Sequence, residues 1–365
     1  MGPVFYLGGT RMLSLGKKLR VGLDIGSHSI KAVVVEKNGN RFKVIHRGVR
    51  PIWGDGQKYD PDGAQRSQIV PQLVELFNSF HVSTKKMKNL RSLINGAQVA
   101  AKEILAIPLE QKEMESAMLL EARKHIPLDG SETQVDFQII AEDTDEPDKV
   151  RVLIVASSKK LFEGHLQLLR ELEIRPAVVD IDSLSIANSY LQFNELPDDG
   201  LVVIVDVGHR KTGITLLGRK ERFFTREISV GGEAFTEEIM KEYGLNWQDA
   251  EKVKVEQGMK PDLPKAESGT GELRLASKSV IERFGDEINR TLRYYVKETG
   301  SSFFTKFVIV GGGAGLDELT EYLQNKFNAT VEPYDPFVWM DVATSNGGGH
   351  PSQYAAAIGL AVREL

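Results

Sequence analysis

Apolar and polar positions alternate with two different periods along this sequence, and together they predict a mixed α/β protein. Apolar and β-branched runs at residues 19–23, 30–36 and 201–205 are typical of strands, and the last run is uninterrupted, as in strands buried on both faces. Apolar residues at 69–80 recur every three or four positions, which is the helical period. Strands and helices therefore follow one another from about residue 20 onward.

Residues 97–178 form a separate unit in this pattern. Strands are predicted at 99–107, 135–140 and 150–156, and helices at 112–125 and 160–172. A further strand at 177–181 then leads into a helix of small residues at 183–190. We therefore expect a compact αβ subdomain inserted into the first part of the chain.

The second part of the chain continues with strands and helices. A long helix is predicted at 278–297, a buried strand at 307–310 and a final helix at 353–365. The final helix carries four alanines and one glycine, which suit close packing against a neighbour. Before the long helix, residues 257–275 are rich in Gly, Pro, Lys and Glu and are predicted to form a loop.

Composition narrows the classes of function. The chain has 365 residues, enough for two or more domains, and a formal net charge of −5, which gives no support for a nucleic-acid binder. It has no cysteine, which excludes disulfides and thiolate metal sites. No uncharged apolar run approaches the ~18 residues that span a bilayer, and the N-terminal segment does not resemble a cleaved signal peptide. Glycine is in excess, because 34 of the 365 residues are glycine, which is above the average share of about 7%.

Two of the glycines follow the same pattern at the end of an apolar strand. Asp24-Ile25-Gly26 and Asp206-Val207-Gly208 both return through small or polar residues into another strand, and the two aspartates are 182 residues apart, close to half the chain. Glycine lets backbone N–H groups turn toward a phosphate, and a strand-end carboxylate can order a hydrated Mg²⁺. One such hairpin alone is usually structural. Two at a half-chain offset indicate an internal duplication and a phosphate site.

A third glycine turn follows the strand at 307–310. Gly311, Gly312 and Gly313 precede a helix, but no Gly-Lys-Ser/Thr follows, so this is not a Walker loop. The turn does not open a first βα unit, which disfavours a dinucleotide fold. It permits close contact with a flat ligand such as a purine, although an ordinary βα turn stays open as the alternative.

These motifs together resemble the actin-like ATPase superfamily from about residue 20 to the end. Residues 179–187 and 354–361 are similar to the two connecting elements of that superfamily, and Gly231-Gly232 is similar to the pair that opens its fourth subdomain. The implied fold is α/β, with two duplicated ribonuclease-H-like halves around a nucleotide cleft.

The resemblance implies one site for ATP or ADP with Mg²⁺. The residues implied to bind the nucleotide are Gly26, Ser27, His28, Lys31, Gly208, His209, Thr212, Gly231, Gly232, Glu251, Lys254, Gly311, Gly312 and Gly313. Asp24 and Asp206 are implied to order the metal through water. Asp182 matches the position that places the attacking water in hydrolysing relatives. For Glu251 and Lys254, an exposed i,i+3 charge pair stays open as the alternative.

The position of the insert selects a branch of the superfamily. A small αβ module before the first connecting element is the arrangement of the FtsA and PilM families. The Ile107-Pro108 strand end and the helix end from Glu121 to Pro127 are similar to PilM proteins, with His125 where an aromatic residue is usual. The chain ends directly after the connecting helix without an FtsA-type amphipathic helix, which favours the PilM family of type IV pilus assembly proteins.

This resemblance implies subdomain boundaries, which are listed here. They are an N-terminal arm at 1–19, subdomain 1A at 20–96, the insert 1C at 97–178, a connecting element at 179–199, 2A at 200–232 and 305–350, 2B at 233–304 and a connecting helix at 351–365.

The implied function is a cytoplasmic ATP-binding scaffold of the pilus inner-membrane platform, with slow hydrolysis or none. The implied partner is the N-terminal cytoplasmic peptide of PilN, bound in a groove between the first subdomain and the insert, with other platform and motor proteins beyond it. Contact with the membrane would run only through partners, and no nucleic acid is expected. An FtsA-like or filament-forming actin and a small-molecule kinase stay open as alternatives.

Overall fold

Three sheets organise the computed structural model, which describes residues 18–53, 59–60, 64–82, 87, 89–124, 132–143, 146–265, 278–343 and 347–364. The strands are β1 (Lys18–Ile25), β2 (Ser29–Asn38), β3 (Arg41–Pro51), β4 (Leu90–Ile94), β5 (Val99–Ala106), β6 (Thr133–Glu142), β7 (Val150–Ser158), β8 (Val178–Ile181), β9 (Leu201–Val207), β10 (Thr212–Leu217), β11 (Phe224–Ile228), β12 (Phe304–Val310), β13 (Thr330–Pro333) and β14 (Asp341–Val342). The helices are α1 (Arg66–Ser79), α2 (Gln111–Ala122), α3 (Lys159–Glu171), α4 (Asp182–Phe193), α5 (Gly232–Tyr243), α6 (Trp247–Gln257), α7 (Val280–Thr299), α8 (Asp317–Phe327) and α9 (Ala355–Val362).

The two larger sheets share one topology. The first has the order β14-β3-β2-β1-β4-β8 and the second β11-β10-β9-β12-β13. In each, three antiparallel strands in chain order are followed by parallel strands on the far side of the first one. This repeated topology agrees with the half-chain offset of the two Asp-x-Gly turns and defines a first and a second half.

Helices α4 and α9 cross between the two halves in very close contact. A Cβ atom on Gly359 of α9 would lie 1.6 Å from the Ser185 carbonyl oxygen of α4, and one on Gly22 of β1 would lie 1.9 Å from the Ala357 carbonyl oxygen. Every residue of α9 is buried. Glycine at these two positions is therefore required by the approach of one backbone to another.

A buried ion pair joins the strand that precedes α4 to the end of α9. Arg363, just after α9, lies 2.6 Å from the Asp180 carboxylate on β8, and both side chains are at most 3% exposed. Arg91 on β4 donates to the Leu360 carbonyl oxygen at 3.0 Å, which satisfies one of the acceptors left free at the end of α9.

The last part of the chain completes the first sheet. β14 pairs with β3 at its edge, and α9 packs on β1 and β2 through a cluster that includes Val33, Val35, Tyr354 and Ile358. The predicted final helix at 353–365 is shorter than expected. A 3₁₀ turn spans Pro351–Tyr354, and the α-helix itself runs only from Ala355 to Val362.

The insert is a three-stranded sheet of order β5-β7-β6, covered on one face by α2. Met114 and Met118 of α2 pack with Val152 and Ile154 of β7, as the apolar period of that helix requires. The predicted end of this helix at His125 lies outside the described residues. In the second half, Ser279 and Glu282 form a capping box that starts α7, and Gly300 in the left-handed region ends it.

Candidate functional site

The two Asp-x-Gly turns face each other between the halves. In each turn the glycine amide, of Gly26 or Gly208, donates to the carbonyl oxygen three residues later, at 3.1 and 3.0 Å. The rings of His28 and His209, which follow these glycines, have centroids 4.8 Å apart. Burial lowers the pKa of both imidazoles, so both rings are neutral at pH 7. The structure thus brings the two predicted phosphate turns together at one place.

Three aspartates and two lysines gather beneath these turns. Lys31 lies 3.2 Å from the Asp24 carboxylate, and Lys211 lies 3.2 Å from that of Asp182. Burial, with the added charges of Asp182 and Asp24, raises the pKa of Asp206 to about 7. The carboxylates are therefore close enough to repel one another, and a cation among them would relieve that repulsion.

The donor set does not form a closed metal cage. Within the described ranges, no group of three or more His, Asp or Glu side chains is arranged to hold a metal ion. Asp24 and Asp206 instead offer single carboxylates at two strand ends, which fits a hydrated Mg²⁺ better than a directly coordinated one, because Mg²⁺ keeps several of its waters.

Three residues of the predicted set serve contacts within the second half. The Thr212 hydroxyl donates to the Val230 carbonyl oxygen at 2.7 Å, and Thr212 is fully buried. A Cβ atom on Gly231 would lie 2.5 Å from the His209 carbonyl oxygen, and the Gly232 amide donates to the Gly208 carbonyl oxygen at 2.9 Å. The glycine pair therefore lets α5 begin directly against the second turn.

Glu251 and Lys254 form a buried network. The Lys254 ammonium donates to Glu251 at 2.5 Å, to the Thr236 hydroxyl at 2.7 Å and to the Gly232 carbonyl oxygen at 3.0 Å. Lys254 is only 6% exposed, and burial lowers its pKa. The alternative of an exposed charge pair is wrong, because α6 turns this face toward α5 and its N-terminal glycines.

The third glycine turn packs on the end of β9. Gly311 has a φ of +83°, and a Cβ atom there would lie 2.5 Å from Asp206 Oδ1. A Cβ atom on Gly313 would lie 2.3 Å from Val207 Cγ1, whereas nothing lies within 4 Å of one on Gly312. Among the three, Gly312 faces open space, whereas Gly311 lies against the carboxylate of Asp206 and Gly313 against the side chain of Val207.

A separate groove of about 900 Å³ lies between the insert and the first half. Its lining includes the start of β6, the end of β7, one face of α3 and residues 174–181. β8 and β6 are both edge strands of their sheets, so their outer backbone groups are not paired within a sheet. The groove thus has apolar walls and two strand edges that an extended chain could join.

Comparison with known proteins identifies the family. The family model described as type IV pilus assembly protein PilM matches residues 22–365. The chain belongs to the PilM family. A solved PilM-PilN type IV pilus biogenesis complex superposes with a TM-score of 0.77 at 22% identity, covering 95% of this chain and 99% of that chain. The ethanolamine utilization protein EutJ from Carboxydothermus hydrogenoformans gives a TM-score of 0.54 at 12% identity, over 96% and 91% of the two chains.

These matches confirm the family and the actin-like ATPase fold that were expected from the glycine turns and the insert. None of the described helices is both long enough and apolar enough to cross a bilayer. The roles of individual site residues stay predictions.

Sequence reasoning missed an aromatic contact across the cleft. Tyr59, between β3 and α1, stacks on Trp247 at the start of α6, with ring centroids 4.3 Å apart and an angle of 2°. The Tyr59 hydroxyl also binds Glu233 of α5 and lies 3.0 Å from His209 Nε2. Neither aromatic belongs to a motif. An aromatic residue in an otherwise polar loop was the available signal.

Proposed function

We propose that this protein is a nucleotide-binding scaffold on the cytoplasmic side of a type IV pilus inner-membrane platform. It takes the N-terminal cytoplasmic peptide of PilN into the groove between the insert and the first half, and it reaches the membrane only through such partners. The observation that carries the proposal is the groove itself, in a PilM-family fold that resembles the PilM of a PilM-PilN complex.

The chemistry of the groove suits a short extended peptide. Phe162, Leu166 and Ile174 supply an apolar floor, while Arg170 and Arg175 supply positive charge beside it. The edge of β8 or β6 could add backbone hydrogen bonds, and side chains of alternating direction would enter the apolar floor. A peptide with apolar residues at alternate positions and an acidic group is therefore the expected ligand class.

The cleft between the halves would bind ATP or ADP with Mg²⁺. The turns at Gly26 and Gly208 would let the backbone of the residues after each glycine approach the phosphates, since the two glycine amides themselves donate within their turns. Gly312 would leave room for the adenosine, and Asp24 and Asp206 would hold a hydrated Mg²⁺ through its waters. When bound, the metal would neutralise phosphate charge. The neutral imidazoles of His28 and His209 could each donate one hydrogen bond to a phosphate oxygen.

We propose that the protein hydrolyses ATP slowly or not at all, because the carboxylate of Asp182 is already engaged. One of its carboxylate oxygens accepts from the Ser183 amide at 2.7 Å and the other from Lys211 at 3.2 Å. Both carboxylate oxygens are therefore engaged, and Asp182 would have to leave Lys211 before that oxygen could accept a hydrogen bond from an attacking water.

The test is a titration of the purified protein with a synthetic PilN N-terminal peptide, with and without Mg²⁺-nucleotide. Arg175→Glu reverses a charge that lines the groove, and Lys149→Glu, in the exposed β6–β7 hairpin of the insert, is the matched control. We expect at least tenfold weaker peptide binding for the first variant and an unchanged affinity for the second. A wild-type protein that binds no such peptide in either nucleotide condition would remove the proposal.

Nucleotide binding has its own test. Asp24→Ala removes a proposed metal ligand, and Gly208→Val places a side chain whose Cβ atom would lie 2.9 Å from the Lys211 carbonyl oxygen. Both should weaken ATP binding, measured by calorimetry. Wild-type affinity in both variants would mean that the cleft is not the nucleotide site.

A further inference from the structure

The insert is attached to the second half as well as to the first. Glu103 of β5 accepts a hydrogen bond from the Phe223 amide, just before β11, at 2.8 Å. Its other carboxylate oxygen pairs with Arg151 Nε of β7 at 2.5 Å, and Arg151 Nη2 donates to the Glu221 carbonyl oxygen at 3.0 Å. The Glu103 side chain is 2% exposed. Two strands of the insert thus hold one loop of the second half, and we name Glu103 and Arg151 the clamp.

The clamp lies over a shared apolar core. Phe223 is buried in a cluster with Leu184 of the first half, Leu153 of the insert and Val202 of the second half. Because interiors are close-packed, displacement of the second half moves the groups packed against Phe223. The clamp and this core therefore oblige the insert sheet to follow the loop at 221–223.

Two crossings of the chain join the insert sheet to the first half. After β4, the chain enters β5 through Gly96, whose φ is +119° and around which a Cβ atom would meet nothing within 4 Å. The return path is at Ser158, whose hydroxyl bonds Gln98 at 2.7 Å. A further cavity of about 140 Å³ separates β5 from β10 and β11 near Asp206. These two crossings can act as a hinge, and the cavity leaves room for the insert to shift.

The walls of the peptide groove belong to the two sides of that hinge. Residues 134–136 and 155–157 come from the insert sheet, whereas residues 178–181 are β8 of the first-half sheet. Rotation of the second half about the cleft, transmitted through the clamp, would therefore change the distance between these walls. A groove whose width depends on closure of the cleft has a different affinity for its peptide in each state.

We propose that the Glu103–Arg151 clamp couples the nucleotide cleft to the peptide groove, so that each ligand changes the affinity of the other. This inference rests on the proposed function, since it needs both a nucleotide and a peptide ligand. By linkage, the factor by which nucleotide changes peptide affinity equals the factor by which peptide changes nucleotide affinity.

A second contact across the cleft, between Asp182 and Lys211, also follows β8 directly. It adjoins the phosphate turn, so a change there would alter nucleotide binding itself. The clamp lies away from both ligands, lining neither the groove nor the two glycine turns. It can therefore be removed while each single affinity is kept.

The experiment compares wild type with Glu103→Gln, Arg151→Gln and the control Lys149→Gln, whose exposed ion pair with Glu146 lies in the same insert. Peptide affinity is measured by calorimetry with no nucleotide, with Mg²⁺-ADP and with a non-hydrolysable Mg²⁺-ATP analogue. We expect a change of about fivefold or more between nucleotide states in wild type and in the control. In both clamp variants the change should fall below about twofold, while each ligand still binds alone.

Distance measurements follow the groove directly. The chain has no cysteine, so spin labels can be placed at Asp136→Cys and Arg175→Cys, two exposed positions on opposite walls. The label distance should shift on nucleotide binding in the background of the wild-type clamp and stay fixed with Arg151→Gln. The Arg151 side chain is more exposed than that of Glu103, so Arg151→Gln keeps the test decisive even if Glu103→Gln fails to fold.

The outcomes separate this inference from the proposed function. If wild type binds both ligands but shows no coupling, or if the clamp variants keep the full coupling and label shift, the clamp inference is wrong and the scaffold function stands. If wild type binds no PilN peptide, the proposed function fails and the clamp inference fails with it.

Discussion

Gly359 offers a quantitative test of the contact between the two connecting helices. In Gly359→Ala the new Cβ atom would start 1.6 Å from the Ser185 carbonyl oxygen, and ordinary contact begins near 3.4 Å. Helix α9 would therefore have to move by about 1.8 Å away from α4, because backbone cannot yield by changing rotamer. The displacement would also open the packing of the alanines around it.

The sign of the effect follows from two opposing magnitudes. Alanine in a helix is favoured over glycine by about 1 kcal/mol, whereas overpacking a core costs about 1–3 kcal/mol or more. With backbone on both sides of the clash, we expect a net loss of about 2 kcal/mol in the free energy of unfolding. For a chain of 365 residues, the midpoint of thermal unfolding should fall by roughly 2–3 °C.

Gly164 in the middle of α3 is the matched control. The nearest atom to a Cβ there is Arg66 Nη2, at 4.0 Å, so Gly164→Ala meets no clash. It should stabilise the protein by about 0.5–1 kcal/mol through helix propensity alone. Both variants are compared by urea and thermal unfolding followed by circular dichroism. Equal effects of the same sign in the two helices would refute the argument.

Three further predictions concern buried charge and the cleft. Asp180→Asn leaves the Arg363 guanidinium buried without its partner and should cost about 3–5 kcal/mol in urea unfolding, whereas Asp180→Leu combined with Arg363→Met should recover most of that loss. Because the pKa of Asp206 is raised to about 7, the folded state holds an extra proton between pH 4 and 7, and this group makes folding less favourable as pH rises through that range. Asp206→Asn should remove this dependence of the free energy of unfolding on pH. The effect is at most about 4 kcal/mol at pH 8, and it is less than that because the side chain keeps some contact with water. The variant should also abolish the tightening of nucleotide binding by Mg²⁺, and an unchanged pH profile of unfolding would contradict the argument. Tyr59→Ala removes the ring stacked on Trp247, so Trp247 fluorescence should shift to the red. If the stack helps to hold the cleft closed, release of a fluorescent ADP, followed by stopped flow, should become several-fold faster. An unchanged release rate would count against this role.

The glycine turns could be predicted because their requirement is local. A strand-end Asp followed by glycine needs a particular backbone path whatever surrounds it, and the repeat at a half-chain offset indicated that two such turns would meet. The same holds for Gly359, because its helix carries alanine at 355–357 and 361. The structure shows that Gly311 and Gly313 serve packing on β9, which the sequence pattern cannot separate from contact with a ligand.

Features that form between segments distant in the chain could not be predicted from the sequence. Burial of Lys254 depends on how α6 lies against α5, and no periodicity over eleven residues fixes that rotation. The stack of Tyr59 on Trp247 joins residues of opposite halves. The groove exists because β6 and β8 are edge strands, a property of sheet order that single segments do not encode.

The completion of the first sheet by the last part of the chain has a consequence for biosynthesis. α9 covers one face of β1 and β2, and β14 covers the edge of β3, yet more than 290 residues separate these segments in the sequence. On the ribosome, the N-terminal half must therefore keep an open apolar face and an open edge until β14 and α9 have been synthesised. Such long-range closure predicts slow folding and a dependence on chaperones during synthesis, so that nascent chains stalled before residue 341 should remain sensitive to protease in β1 to β3.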